Sequence, residues 1–484
     1  MGVRRLRVRR ALLVLLAVSM PAACGSRLPD NVLARIDAGT LGGNGGLAAG
    51  TGAGTTTGAG TATGGGAGPT GAATGGGAVT GGGATGDSGA AGGGGDTGGG
   101  GAAADCHGGA TDTGVTADEV KVASMVTASG PLPGATEGQY RGAAAYLAKI
   151  NSEGGVCGRK ITIIEGDDGL DPQRARGEFL RLEPTVFAFV GSLAVADSGY
   201  VDLVGSSGVP YVGVFVDPSG RVHENVLPHA DPNIASTGPF VYFKQQYPNA
   251  NNVAFLYADI GGVRDNTPAV MEPMKRVGYN IVYNSGAQAT SPDYTAEVIN
   301  MTRASTQMVY LFAFEVNMHV RLARNMRQQN FEPELKVSNI GYNSQLIRLL
   351  GDTANGWKNH IPHVPMLDEA EPAQSPALQE FLKWNTQLFP DSSVDLFPVN
   401  GWGAAALFVK GLQQAGADLT RAGLIQIINN IAEDDGGGML GTLYPAQRRG
   451  TTCFVIERID AQKWVREYPG SGYECNMGES FRFG

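Results

Sequence analysis

The stretch from Val120 to Pro172 limits the fold more than any other part of the chain. It holds two short apolar runs with a helical pattern between them, each junction marked by Gly, Ser or Pro, which reads as a strand–helix–strand unit opening an α/β domain. In the helix, Tyr140, Ala144, Leu147 and Ile150 recur every three or four residues and predict one buried face. Thr136 is placed to cap its start, and Gly154 and Gly155 to end it. Asp171 followed by Pro172 supplies a cap and a first residue for the next helix, through Leu182.

The alternation continues downstream. Strands are predicted at residues 186–190 and 211–215, then a second series follows: helix 234–246, strand 253–257, helix 268–277, strand 280–283, helix 294–304, strand 308–314, helix 318–329 and strand 335–338. Three helices come next, at 376–388, 403–415 and 420–431, before a strand returns at 453–459. Repeated strand and helix units with short links imply mostly parallel sheets with helices on both faces, and two series imply two lobes.

Ahead of this region the composition changes. Much of the chain's 74 glycines lies before residue 105, where residues 41–104 are almost wholly Gly, Ala and Thr and cannot bury enough surface to offset ordering entropy. A Gly-rich coil of roughly 80 residues reaches about 50 Å, enough to hold a folded head clear of an anchor. The motif Gly86-Asp87-Ser88-Gly89 lies inside that tract and has no scaffold to align a catalytic triad. The chain starts with five arginines at positions 4, 5, 7, 9 and 10, an apolar run from Ala11 to Val18 and the small residues before Cys24, the layout of an export signal. Residues 1–23 then form a lipoprotein signal with Cys24 as the acylated residue, or an ordinary secretory signal cleaved nearby. Both readings put the protein outside the cytoplasm.

The formal net charge is −9, and no dense basic cluster lies beyond that N-terminus, so nucleic acid is excluded as a partner. Cys106, Cys157, Cys453 and Cys475 remain in an exported chain, where disulfides persist. Four cysteines allow three pairings; Cys106–Cys157 and Cys453–Cys475 are preferred because each pair is the nearer in sequence and ties a chain end to a lobe. Their spacing does not suit zinc. Asp167, Asp168 and Asp171 lack the spacing of a calcium loop, so no metal or other cofactor is expected. The six histidines are scattered and no nucleophile elbow sits at a strand-to-helix turn, which argues against an enzyme. His360 and His363 come close to a predicted crossing between lobes, where a structural role is expected.

Several short segments, in order, carry a resemblance. They are Ser129-Gly130-Pro131, Gly142-Ala143-Ala144, Ile150-Asn151 with Gly154-Gly155-Val156, Gly158-Arg159-Lys160, Asp167-Asp168 with Asp171-Pro172, Val190-Gly191-Ser192 and Gly208-Val209-Pro210-Tyr211. Together they resemble the type I solute-binding proteins of ABC transporters, in the branched-chain amino acid and amide class. The resemblance implies a monomeric two-lobed clamp with three hinge crossings, which holds a small molecule between its lobes and hands it to a membrane permease. It implies lobe one from residues 106–231 and 362–445, and lobe two from 232–361 and 446–484. A ligand sensor that signals to a membrane partner is the alternative on the same scaffold.

In the amino-acid-binding members, hydroxyl groups after two lobe-one strands hold the ligand carboxylate. Those positions fall on Val195 and Val216, which cannot donate, so a free α-amino acid is disfavoured. Ser129 lies in the loop at the mouth of the first strand. Phe215, Phe314 and Tyr342 are expected at strand ends facing the cleft, where they would enclose an apolar ligand; Asp231 and Glu315 are candidates for a cationic or hydroxylated group.

Overall fold

The computed structural model describes residues 106, 108–227, 234–371 and 375–482. The signal segment, Cys24, the Gly-rich tract and Asp231 lie outside the described residues.

The first sheet is built from β1 (Glu119–Val126), β2 (Lys160–Asp167), β3 (Ala188–Ser192), β4 (Tyr211–Gly213) and β5 (Val226–Leu227), in the order β2-β1-β3-β4-β5 and parallel throughout. Its connections are α1 (Gly138–Ser152), α2 (Pro172–Leu182) and α3 (Val201–Ser207). The chain then enters β6 (Ile234–Ser236) and α4 (Gly238–Gln246), and builds a second sheet from β7 (Asn252–Ala258), β8 (Asn280–Ala287), β9 (Met308–Phe312), β10 (Leu335–Ser338) and β11 (Trp357–Ile361). Helices α5 (Gly261–Arg276), α6 (Thr295–Arg303), α7 (Val316–Gln328) and α8 (Ser344–Leu350) lie between and after these strands. Next come α9 (Pro376–Leu388), α10 (Leu396–Ala415) and α11 (Arg421–Ile428), followed by β12 (Val455–Asp460), β13 (Lys463–Tyr468) and β14 (Ser480–Arg482).

The second sheet runs β13-β12-β11-β10-β9-β7-β8; the last two strands to join are antiparallel and the rest are parallel. The fold is therefore α/β with two lobes, each a mostly parallel sheet flanked by helices. We call the part on the first sheet lobe one and that on the second lobe two.

Helix α1 is buried almost all round, not on one face as its periodicity suggests, because α10 packs along its outer side. The two backbones approach so closely that glycine is required: a Cβ at Gly142 would lie 1.7 Å from the Pro398 carbonyl oxygen, and one at Gly401 only 1.9 Å from that of Gln139. Helix α10 begins at Leu396, seven residues before the predicted start, with the Asp395 carboxylate accepting from the Phe397 N–H at 3.0 Å.

Other boundaries differ for identifiable reasons. Thr136 does not cap α1, because its hydroxyl accepts from Thr127 N–H at 2.8 Å and donates to the Leu193 carbonyl at 2.6 Å, joining two loops of lobe one. Residues 234–236 are a strand paired with β14 rather than the start of a helix. Helix α5 starts at Gly261 and continues through Pro268 and Pro273, where a start at Pro268 was expected. Asp171 caps α2 as predicted, accepting from Arg174 N–H at 2.8 Å. Both preferred disulfides, Cys106–Cys157 and Cys453–Cys475, are present.

Candidate functional site

Parallel sheets present their connecting loops at the carboxyl ends of the strands, where ligands collect. In lobe one these are the loops after β1, β3 and β4. Each is fastened to the lobe by one of three aspartates.

Asp167, at the end of β2, accepts from the backbone N–H groups of Ala128 (2.9 Å), Ser129 (3.0 Å) and Gly169 (3.0 Å), from Ser129 Oγ (2.5 Å) and from the Arg174 guanidinium (2.5 Å). Partial burial acts to raise its pKa, but the hydrogen bonds from Ser129, Gly169 and Ala128 outweigh it and hold the carboxyl below its ordinary value. Asp168 takes the Ala196 N–H (2.8 Å) and the Thr127 hydroxyl (3.0 Å), and Thr127 Oγ1 in turn accepts from Val195 N–H (2.9 Å). Asp197 takes the N–H groups of Val216 (2.5 Å) and Asp217 (3.1 Å). Burial pushes Asp197 up to about 8 against the pull of those two N–H groups. The N–H donors of residues 128, 129, 195, 196, 216 and 217 are thus all occupied from within lobe one.

The predicted site residues divide in two. Ser129, Val195 and Val216 do lie on these loops, half-buried, and Glu315 lies on the facing loop of lobe two. Ser129, however, gives its hydroxyl proton to Asp167 and accepts from Arg174 at 3.0 Å, so its polar capacity is used locally. Glu315 is the N-cap of α7, accepting from Asn317 and Met318 N–H at 2.8 Å each.

Phe215, Phe314 and Tyr342 do not face the cleft. Phe215 is 1% exposed in the lobe-one core, its ring centroid 4.5 Å from that of Tyr211. Phe314 is likewise 1% exposed and packs on Tyr294, while the Tyr342 hydroxyl accepts from Leu367 N–H at 2.8 Å and its ring contacts Trp464. The cause is shared by Phe215 and Phe314: β4 stops at Gly213 and β9 at Phe312, so the alternation of a strand no longer sets where residues two positions on point.

A cavity of about 140 Å³ at the mouth joins Pro131, Leu132 and Ala135 of lobe one to Glu315, Asn317 and Arg321 of lobe two. Lobe one contributes only apolar side chains to it, and lobe two the polar ones. Beside it the lobes touch: Asn266 Nδ2 on α5 donates to the Val216 carbonyl at 2.6 Å, and Arg221 donates to Asn266 Oδ1 at 2.8 Å. Gly262 makes room for Val216, whose Cγ1 would lie 2.6 Å from an added Cβ. A second cavity, of about 380 Å³, lies where the chain crosses between the lobes. Sequence reading missed Asp197, Arg221, Gly262, Asn266 and Arg321. Only Asp197 carried a signal, as a lone carboxylate closing the apolar run Leu193-Ala194-Val195-Ala196. Among the described residues, no group of three or more His, Cys, Asp or Glu could hold a metal ion.

Residues 119–463 match the family of periplasmic binding proteins. The chain belongs to that family. Among its relatives, a leucine-, isoleucine-, valine-, threonine- and alanine-binding protein of Pseudomonas aeruginosa is 24% identical over 319 residues, covering 62% of this chain and 80% of the relative. A leucine-specific-binding protein of Salmonella typhimurium is 22% identical over 329 residues, covering 64% and 87%. Among solved structures, a fatty acid ABC transporter substrate-binding protein from Thermomonospora curvata superposes with a TM-score of 0.60 at 19% identity, covering 74% of this chain and 93% of that one. A branched-chain amino acid transporter substrate binding protein from Streptococcus pneumoniae, in complex with isoleucine, gives 0.59 at 13%, covering 72% and 100%. As a periplasmic binding protein, this chain is a binding module by family. No described helix is long and apolar enough to cross a membrane.

Proposed function

We propose that this protein is an extracytoplasmic solute-binding lipoprotein, anchored through Cys24, that takes a small, partly apolar molecule between its lobes and delivers it to an ABC transporter permease. Lobe one comprises residues 106–231 and 362–445 and lobe two residues 232–361 and 446–484, with the chain acting as a monomer. Family membership and the transport relatives support the role.

The observation that carries the ligand class is the capture of lobe one's loop donors by Asp167, Asp168 and Asp197. A ligand carboxylate placed there would find its N–H donors already bonded and Val195 and Val216 in place of hydroxyl groups. The ligand therefore turns its apolar side to Leu132, Val195 and Val216, and its polar end to Glu315, Asn317 and Arg321. The mouth cavity is smaller than the roughly 300 Å³ at the low end of ligand sites, so the lobes part to admit the solute and close over it. Thermal unfolding against a metabolite panel tests this: a partly apolar solute raises the melting temperature, and leucine, isoleucine and valine do not. Strong stabilisation by those three amino acids would overturn the reading.

A further inference from the structure

A third cavity, of about 750 Å³, lies on the edge of lobe one and shares no lining residue with the mouth or with the cavity at the crossings. Its origin is the shortness of β5, the last strand of the first sheet, which consists of Val226 and Leu227 alone. Val226 packs in one core with Val204 of α3, and Leu227 packs in another with Leu424 and Ile428 of α11, so the two helices lie on opposite faces of the sheet. Residues of both line the space beyond the edge strand. Gly208 and Asn225, also in its wall, precede β4 and β5, so it opens at the amino ends of these parallel strands, away from the loops at their carboxyl ends that form the mouth.

The wall is rich in side-chain amides. Helix α11 turns Leu424 and Ile428 into the core, while Ala422, Ile425 and Gln426, with Asn429 and Asn430 just past its end, follow the three- and four-residue spacing of the face that lines the cavity. Much of their hydrogen-bonding capacity is unspent. Among the described residues the Gln426 side chain has no partner, and Asn429 and Asn430 use only Nδ2, on the Glu224 and Gln426 carbonyls at 3.1 and 2.9 Å, which leaves both Oδ1 atoms. Gln426 and Asn430 are exposed and Asn429 half-exposed, so these groups are open to an incoming molecule. The His223 ring lies against α3 at Gly205, where an added Cβ would be 2.3 Å from its Nδ1.

This chemistry selects among ligands. Glu224 and Arg448 are the charged residues of the wall, one of each sign, so an ion meets no net counter-charge, and Ala422, Ile425 and Ala446 give an apolar molecule little surface to bury. An edge strand invites a peptide to pair with it. Here the carbonyl groups leading into β5 are already taken: Arg448 Nη2 donates to those of Arg221 and His223 at 2.8 and 3.0 Å, and Asn429 to that of Glu224. An amide offers an acceptor oxygen beside two N–H donors, which matches neighbouring hydroxyl groups on a sugar ring. The volume lies within the range of small-molecule sites.

We propose that this groove is a second binding site, for a short, uncharged saccharide whose hydroxyl groups pair with the amides of Gln426, Asn429 and Asn430 and with the His223 ring. It lies apart from the cleft, so the assignment does not depend on the transported solute.

The probe is maltotriose, with trialanine as the peptide comparison. Each is titrated into the full chain while the side-chain ¹H–¹⁵N signals of Gln426 and Asn430 are followed, each signal identified by its disappearance in Gln426→Leu or Asn430→Leu. Maltotriose should bind saturably and shift both signals, at least about tenfold more tightly than trialanine. Each leucine variant should weaken maltotriose about fivefold, and since both side chains are exposed the fold should persist, whereas Arg321→Met at the mouth should leave the affinity unchanged. Absence of saturable maltotriose binding, trialanine binding as tightly, or undiminished affinity in both leucine variants would each overturn the assignment, as would loss of maltotriose binding in Arg321→Met. Leucine held tightly at the mouth would sink the solute reading and leave these results as they are.

Discussion

Replacing Asp197 tests how lobe one is held together. Its carboxyl is 1% exposed and accepts from the backbone N–H groups of Val216 and Asp217, so it ties the loop after β3 to the loop after β4. In Asp197→Ala both N–H groups lose their partner. At about 1–3 kcal/mol for each buried donor left unmet, the variant should lose roughly 2–6 kcal/mol of stability. Asp197→Asn is the informative companion. With a pKa raised to about 8 by burial, Asp197 is mostly protonated at pH 7, and a neutral amide of the same shape still offers an oxygen to Val216. It should cost no more than about 1 kcal/mol. The sign of the pH effect follows from the raised pKa: the folded state holds the proton more tightly than the unfolded state, so the group's contribution is full at low pH and is lost as pH rises through about 8. Asparagine removes that loss, by up to about 1.4 kcal/mol for each pH unit between 6 and 8. The assay is urea unfolding followed by circular dichroism at pH 6, 7 and 8, reading the midpoint at constant slope. Alanine within about 0.5 kcal/mol of the parent, or an asparagine variant with the parent's pH dependence, would refute the reasoning.

Three further outcomes are expected. Glu165 (about 7), Asp395 (about 6) and Glu457 (about 9) are raised by burial as Asp197 is, whereas burial depresses His319 to about 3 and His360 and His363 to about 4. The carboxyl groups add stability as pH falls from about 9, and the histidines, whose unfolded forms protonate near 6.5, remove it below that point. The melting temperature should therefore rise from pH 8.5 to about 6.5 and then level off; a steady rise with pH would contradict this. Gly262→Val pushes a side chain into Val216, so the lobes should sit farther apart, with a larger radius of gyration by small-angle scattering and weaker solute binding but an intact fold; unchanged scattering and binding would count against the contact. Cys24→Ala should move the protein from the membrane fraction to the soluble one, and retention would sink the lipid anchor.

The fold was legible because its signals are local. The apolar runs and helical spacings between Val120 and Leu182 fix strand, helix and strand within a residue or two, and the Asp171-Pro172 start needs nothing from elsewhere in the chain. What sequence reading missed depends on distant partners. The antiparallel strand β13 exists because β12 is there to pair with, and β6 because β14 returns to it from the far end of the chain. Helix α10 reaches back to Leu396 because its glycines fit against α1, a contact between residues more than 250 positions apart.

The site was legible in part. Val195 and Val216 were set by the family resemblance, and the structure shows both on the loops after β3 and β4. Phe215 and Phe314 were misplaced because β4 and β9 end early, and burial took their side chains. The capture of loop donors by Asp167, Asp168 and Asp197 is a matter of three loops meeting, and no spacing along the chain records it.

The most direct test of the solute class is the mass of the molecule that leaves the protein on denaturation, after purification from its own cells under mild conditions. A small, partly apolar compound that is not an α-amino acid is the predicted result. Leucine, isoleucine or valine recovered in a one-to-one ratio with the protein would contradict it.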